Sequence, residues 1–355
     1  MKQHLNTLFI TTQGAYLHKQ GETVVVKVEK QTKLRLPLHN LGGIVCFGRV
    51  GCSPFLMGKC AEVGVAISFH TESGRFLAAI NGFSPGNVLL RREQYRRADD
   101  IAVGPGGEAG EAARIVQSIV VAKLLNSRAV LRRAMRDYPD APNREELENA
   151  ARRIGQSAEQ ARATNNIDGL RGVEGEAAND YFRVFGHLVS ASLGDAKQGW
   201  SFEGRSRRPP RDAFNALLSF LYTLLMHDAR SACESAGLDA AVGFLHRDRP
   251  GRPSLALDLM EELRAFLADR LALSLINRRQ IHIQGFKVTE AGGVIMDEPT
   301  RKVVLAAYQK RKQEMLTHPF LGEKTTVGLL VHLQARLLAR YLRGDLDAYP
   351  PFIWK

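Results

Sequence analysis

The first eighty residues alternate short apolar runs with turn formers. Leu8–Ile10, Thr23–Val28, Ile44–Phe47 and Ala66–Phe69 are separated by Gly14, Gly21, Asn40 and Gly42. Runs this short, bounded by such residues, predict β-strands, with one helix near Pro54–Val63 interrupting them. From about residue 111 the period changes. Ala112, Ile115, Val116, Ile119 and Val120 recur at the spacing of one helix face. Further helices are expected near 144–163, 168–190, 213–235, 254–277, 299–317 and 325–344. Pro139, Pro142, Pro209, Pro210, Pro250 and Pro253 fall in the loops between them. A strand-like stretch at 282–297, with Gly292 and Gly293, interrupts the helices. The polar stretch 98–110, with Gly104, Gly106, Gly107 and Gly110, separates the two regimes. The pattern predicts an α+β chain: a β-rich domain over 1–98, then a larger all-α domain over 111–355.

Composition narrows the class. The chain has 355 residues, 45% hydrophobic and 24% charged, as expected of a soluble globular protein. The strongest apolar run, Leu217–Met226, is broken by Ser219 and Thr223 and falls short of the ~18 residues a membrane span needs. Asn6, Thr11, Thr12 and Gln13 interrupt any signal-peptide core. A cytoplasmic protein without a membrane partner is expected. Lys and Arg number 49 against 37 Asp and Glu, a net charge of +12. The excess is concentrated early, with 13 basic and 7 acidic side chains in the first 100 residues. Such a surface favours a polyanion partner, because Lys and Arg displace counterions condensed on nucleic acid. A basic surface that only confers solubility is the alternative. Cys46, Cys52, Cys60 and Cys233 include no C-x-x-C pair, which disfavours a zinc ribbon and suggests reduced core thiols.

Several motifs fail. Gly104-Pro105-Gly106-Gly107-Glu108-Ala109 follows no strand of useful length, so it makes a poor dinucleotide loop. In Gly322-Glu323-Lys324-Thr325 the glycine and lysine are not adjacent, unlike a phosphate-binding loop. Neither G-x-S-x-G nor H-E-x-x-H occurs.

Two segments carry chemistry. On the expected helix Leu170–Leu188, Glu174 shares a face with Leu170, Ala177 and Ala178, while Glu176 and Asp180 fall nearer the opposite side. An inward carboxylate requires a neutralising partner, either a basic side chain or a metal ion. Gly172 and Gly175 flank it, each weakening the helix by ~1 kcal/mol relative to Ala, which suits close approach of a backbone or phosphate. In the second segment His246 ends an apolar run before a Pro/Gly-rich loop, and Ser254 is the expected N-cap of the next helix. Asp258 and Glu261 share a face of that helix, whereas Glu262 points elsewhere and reads as a solvated group. One His with two or three carboxylates suits Mn²⁺ or Mg²⁺ with open positions for phosphate oxygens. Ion pairing of Glu174 with a basic side chain explains the same residues without a metal.

The stretches LPLHNLGGIVCFGRVGCSPFLMGKCAEVGVAISF (36–69), LRGVEGEAANDYF (170–182), RSRRPPRDAFNALLSFLY (205–222) and GFLHRDRPGRPSLALDLMEELR (243–264) stand in this order. Together they resemble the CRISPR-associated adaptation endonuclease/integrase family, Cas1. The ending GEKTTVGLLVHLQARLLARYL (322–342) is similar to the subtype I-C branch. The resemblance implies an N-terminal β-sandwich that dimerises and a catalytic helical domain. It implies a homodimer that joins a small ferredoxin-like protein, Cas2, on double-stranded DNA. It also implies a metal triad of Glu174, His246 and Glu261, with Asp258 as a further acid behind it. The implied reaction is attack of a DNA 3′-hydroxyl on a phosphodiester of a repeat array. A non-catalytic DNA-binding scaffold and a branched-DNA repair nuclease are the alternatives. For DNA contacts the candidates are Arg91, Arg92, Arg96 and Arg97, with Tyr95 for stacking, and Arg205, Arg207, Arg208 and Arg211. Asn215 and Tyr222 resemble polar positions lining the same site. The bland reading of both arginine clusters is a solvated loop paired to Glu93 or Asp212. His227 reads as a core histidine, and His282, His318 and His332 have no partner pattern.

Overall fold

The computed structural model describes residues 6–71, 76–80, 87–101, 109–139, 142–189, 199–207 and 209–354. The N-terminal part contains, in chain order, β1 (Asn6–Ile10), β2 (Tyr16–Gln20), β3 (Thr23–Val28), β4 (Gln31–Pro37), β5 (Leu41–Phe47), β6 (Gly51–Cys52), α1 (Pro54–Glu62), β7 (Ala66–His70) and β8 (Phe76–Ile80). They form two four-stranded sheets, β1-β5-β7-β8 and β4-β3-β2-β6. Strand β5 pairs in parallel with both β1 and β7, while β2, β3 and β4 form antiparallel hairpins. Ile10, Leu17, Val24, Val26, Ile44 and Ile67, with Leu56 and Cys60 of α1, share one core. The N-terminal part is therefore a β-sandwich closed by α1, and the chain as a whole is α+β.

Side-chain alternation along β5 joins this sandwich to the rest. Ile44 and Cys46 point into the sandwich core, whereas Val45 and Phe47 belong to the core of the helical half. The Phe47 ring lies 5.8 Å from Phe220 and 5.3 Å from His70. Across the same joint His70 meets His227 edge-on at 4.4 Å. Burial, aided by His70, pushes the His227 imidazole down to about 3, which keeps it neutral.

The helical half comprises α2 (Val88–Asp99), α3 (Glu111–Asp137), α4 (Arg144–Ala163), α5 (Ile167–Phe185), α6 (Ala213–Ser235), α7 (Ser254–Leu263), α8 (Arg270–Asn277), α9 (Glu298–Gln313) and α10 (Leu330–Leu342). A π-helical turn, Arg264–Asp269, joins α7 to α8. Side chains of Ser53, Asn87, Asn166, Asp212 and Asp297 cap the N-termini of α1, α2, α5, α6 and α9. Helix α3 packs against α4, α5 and α7. Its Ile115, Val116, Ile119 and Val120 are fully buried.

Boundaries differ from the sequence reading at two places. The expected helix 168–190 stops at Phe185 and passes into a 3-10 turn over Gly186–Leu188. The expected helix ends around 317 and 325 are instead two short paired strands, β11 (Met315–Thr317) and β12 (Lys324–Thr326). The segment around 282–297 forms the hairpin β9 (Phe286–Val288) and β10 (Val294–Met296), with Gly292 at φ 72° in its turn. The Gly-rich stretch over 102–108 lies outside the described residues. Among the described residues no helix is long and apolar enough to cross a membrane. All four cysteines are free, and burial pushes the Cys46 and Cys60 thiols up to about 12.

Candidate active site

Helix α7 presents three acids with three different environments. Asp258 is fully buried beneath the loop that carries His246. Its Oδ2 accepts from the backbone N–H groups of Phe244 (2.6 Å) and Leu245 (3.0 Å). Its Oδ1 accepts from the His246 backbone N–H (2.9 Å) and lies 2.6 Å from His246 Nδ1. One carboxylate thus shapes the loop and fixes the imidazole. With Nδ1 engaged, Nε2 faces Glu261, whose Oε1 is 4.0 Å away. This is the arrangement in which an outer carboxylate orients a ligating histidine. Asp258 therefore touches His246 and the loop backbone, and acts through them.

Gly243 makes this fit possible. A Cβ there would lie 2.8 Å from Asp258 Oδ2 and 2.8 Å from the Ser254 carbonyl carbon. Gly243→Ala is expected to push the loop off Asp258 and destabilise the protein by about 1–3 kcal/mol, the usual range for overpacking. Chemical denaturation checks this; an unchanged midpoint would contradict the close fit. Ser254 is the first residue of α7 rather than its N-cap, and its hydroxyl donates to the Arg247 carbonyl at 3.3 Å.

Glu261 is 5% exposed and heavily paired. Arg264 Nη1 donates to its Oε1 (2.6 Å) and Oε2 (2.9 Å), and Lys123 Nζ of α3 is 2.7 Å from Oε2. Burial opposes its ionisation, but the charges of Arg264, Lys123 and His246 outweigh burial and hold the carboxyl well below the usual range. The same Lys123 Nζ bonds to Glu174 Oε1 on α5. Two carboxylates from different helices therefore share one ammonium, and His246 faces one of them. Helix α5 is tied to the histidine loop by Arg171, which donates to the Leu245 carbonyl from Nε (2.9 Å) and Nη2 (2.7 Å). Both Gly172 and Gly175 are exposed, with open space where a Cβ would stand.

Behind these groups lies a buried polar layer. Asp269, in the π-helical turn, accepts from Tyr222 (2.6 Å) and Tyr181 (3.1 Å). Burial raises its carboxyl above the usual range. Arg264 stacks on the Tyr222 ring at 4.2 Å and Arg205 on the same ring at 5.2 Å. Tyr222 is thus packed between two guanidiniums and is not at the surface. Asn215 is fully buried: it accepts from Arg205 and the Ser206 N–H and donates to the Gly204 carbonyl and Asp212. Neither side chain is exposed for direct DNA contact; both hold the Arg205 loop. Glu262 also departs from the sequence reading, being fully buried rather than solvated. Asp180, expected near the solvated side, is largely buried beneath Arg153 and Arg183.

The arginine clusters divide by burial. The first lies on α2, and within it Arg96 and Arg97 both pair with Glu93. Arg97 also bonds Glu111 (3.0 Å) and stacks on Tyr341, so it is a structural cation. Arg91 is half-buried, Arg92 and Arg96 are exposed, and the Tyr95 hydroxyl donates to Asp239 at 2.6 Å. In the second cluster Arg205 is committed to Asn215, Ser219 (3.0 Å) and Tyr222, whereas Arg207 and Arg211 are exposed. Arg208 lies outside the described residues.

Lys123, Arg264, Asp269 and Arg171 escape the sequence reading. Lys123 carried a usable signal, because it continues the buried Ile115–Ile119–Val120 stripe one turn further. Among the described residues no three His, Cys, Asp or Glu side chains already stand as a preformed metal shell. The donor types nevertheless suit a divalent ion, and a cationic nitrogen already occupies the gap between Glu174 and Glu261.

These features define an α+β protein whose helical half gathers two glutamates around one cationic group, with an aspartate-held histidine facing one of them. A family model described as CRISPR associated protein Cas1 matches residues 8–310, and the chain belongs to that family. It is 53% identical over 355 residues to a protein of Chlorobaculum tepidum named CRISPR-associated endonuclease Cas1 1, with 100% of each chain covered. Its fold is similar to that of a casposase bound to integration product, with a TM-score of 0.81 and 21% identity over 99% of this chain and 95% of that one. It is also similar to a chain of a Cas6-RT-Cas1–Cas2 complex, with a TM-score of 0.81 and 22% identity over 100% of this chain and 36% of that one.

Proposed function

We propose that this chain is a divalent-metal-dependent DNA endonuclease and integrase of CRISPR adaptation. Glu174, His246 and Glu261 would hold Mn²⁺ or Mg²⁺, with Asp258 fixing the imidazole. The observation that carries this reading is the ammonium of Lys123 lodged between Glu174 and Glu261, with His246 Nε2 facing Glu261. Two carboxylates from separate helices sharing one ammonium make a site whose charge favours a cation. When bound, the ion supplies Lewis-acid polarisation of a phosphodiester and charge stabilisation for its departing oxygen.

The protein's own groups do the rest. Asp258 accepts from His246 and keeps Nε2 directed at Glu261. Arg264 is immobilised by stacking on Tyr222 and holds the Glu261 carboxylate in place. The exposed Arg92, Arg96, Arg207 and Arg211 take DNA phosphates. The reaction exchanges one phosphodiester for another: a DNA 3′-hydroxyl attacks at a repeat end and another 3′-oxygen leaves. It needs no nucleoside triphosphate. Water in place of the hydroxyl gives endonuclease cleavage. The matching fold of a casposase bound to integration product supports integration. The matching fold of a chain from a Cas6-RT-Cas1–Cas2 complex supports a Cas2-type partner. This chain would act as a homodimer through its sandwich, as the family resemblance implies. The similarity of residues 322–342 supports the subtype I-C branch.

The test uses labelled DNA with a free 3′-hydroxyl and a repeat-containing plasmid, with the partner protein, in Mn²⁺ and in chelator. Joined product in Mn²⁺ alone is expected. DNA binding without metal-dependent product would favour the scaffold reading. Faster reaction on a four-way junction than at a repeat end would favour branched-DNA repair.

A further inference from the structure

We propose that Lys123 is a resident counter-cation that holds the metal position in the metal-free protein and must vacate it for a divalent ion to bind. This rests on the metal reading of Glu174, His246 and Glu261 given above. The side chain is 12% exposed, reaches across from α3, and bonds one oxygen of each glutamate. The immediate charges then balance: Lys123 and Arg264 against Glu174 and Glu261. A balanced group is a stable resting state for two largely buried acids, since an unpaired buried carboxylate is strongly destabilising.

The two cations at this site are not equivalent. Arg264 reaches both oxygens of Glu261 from one nitrogen, Nη1, with its guanidinium against Tyr222. It is fixed by stacking. Lys123 ends a flexible four-carbon stem whose ammonium is a compact point charge with no planar face to stack. A water-sized cavity of about 20 Å³ is lined by Lys123 and Arg264 alike, with Tyr181, Tyr222 and Asp269. Of the two cations bordering it, Lys123 is the one not held by stacking on a ring.

The two cations compete for the same carboxylates. Lys123 takes one oxygen of each glutamate that would hold the ion. Like charges this close repel steeply. Divalent binding therefore includes breaking both lysine contacts, so Lys123 weakens the measured affinity. It sets the concentration of ion the site requires, while keeping the empty site folded.

The test is calorimetric titration of Mn²⁺ into the wild-type protein, Lys123→Met, Lys123→Gln and Glu174→Ala, with melting temperatures in chelator and in saturating Mn²⁺. Both lysine variants are expected to bind Mn²⁺ at least tenfold more tightly than wild type. They should melt lower in chelator and gain more from Mn²⁺. Lys123→Gln keeps hydrogen-bond donors for the glutamates and guards against loss of folding in Lys123→Met. Unchanged or weaker Mn²⁺ binding in both lysine variants, with wild type binding and Glu174→Ala not, would overturn the role of Lys123 alone. No Mn²⁺ binding by any of the four would remove the metal reading as well.

Discussion

His246→Ala is expected to reduce Mn²⁺-dependent DNA joining at least ~100-fold while leaving the fold and most DNA affinity intact. The expectation follows from position. His246 stands on a loop, half-buried, and both its backbone N–H and its ring engage Asp258, so the loop keeps its backbone anchor when the ring is removed. The variant would delete a proposed ligand without opening the core. Asp258→Asn tests the next layer. Outer carboxylates of this kind typically contribute ~10–100-fold in metal affinity or activity. That variant also leaves an amide group facing backbone donors, so it should lose stability, by about 1–3 kcal/mol per unpaired donor. The exposed Glu176, on the same helix as Glu174, is the control. Initial rates over a Mn²⁺ series separate lost affinity from lost turnover. Full activity in His246→Ala would remove the histidine from the site.

Glu262→Ala should have the largest effect on stability, about 2–6 kcal/mol, since each of the two buried donors it leaves unpaired costs about 1–3 kcal/mol. Glu262 anchors the end of the chain to α7. Its Oε1 accepts from the Tyr349 hydroxyl at 2.5 Å. Its Oε2 accepts from Gln334 Nε2 (2.8 Å) and the Phe352 N–H (2.7 Å). Asn126 of α3 completes the clamp, donating to the carbonyls of Glu262 (2.7 Å) and Phe352 (2.8 Å) and accepting from the Trp354 N–H (2.8 Å). Alanine would take the acceptor from the Tyr349 hydroxyl and the Phe352 N–H, one residue from Glu261, while Gln334 Nε2 keeps the Pro350 carbonyl at 3.1 Å.

The two neighbouring glutamates also respond oppositely to pH. Burial pushes Glu262 up to about 7, against the hydrogen bonds that favour its ionised form. Between about 4.5 and about 7 the folded protein keeps a proton that the unfolded chain has shed. Glu262 therefore makes stability fall as pH rises through that window, and adds no further slope above it. Glu261 is held low, so its contribution is present above pH 4.5 and is lost as pH falls below it. Denaturation in chelator across pH 4–8 should show the Glu262 slope in wild type and not in Glu262→Gln. An identical slope in both would assign it to another group.

Much of the fold was readable from periodicity. The short strands before residue 80 and the long amphipathic helices after 111 are local patterns, and local patterns survive folding. The failures have physical causes. Met315–Thr317 and Lys324–Thr326 become strands because they pair with each other across a tight connection, which their own composition does not signal. Glu262 looked solvated because its partners, Gln334, Tyr349 and Phe352, lie 72 to 90 residues downstream. Asn215 and Tyr222 were recognisable as polar positions near the site, but only packing reveals that they face inward, towards Arg205 and Asp269. Glu174 was marked by a carboxylate on an apolar face. The sequence alone allows either a basic side chain or a metal ion as its partner, and the structure places Lys123 there. The two readings meet in that lysine, since a site that tolerates an ammonium between carboxylates has the charge and spacing to accept another cation.

The most direct test is a crystal structure grown with manganese and measured at its absorption edge. An anomalous peak bonded to Glu174, His246 Nε2 and Glu261 is expected, with Lys123 withdrawn from both glutamates. Diffraction showing Lys123 still bridging Glu174 and Glu261 in saturating Mn²⁺, with no peak beside His246, would contradict it.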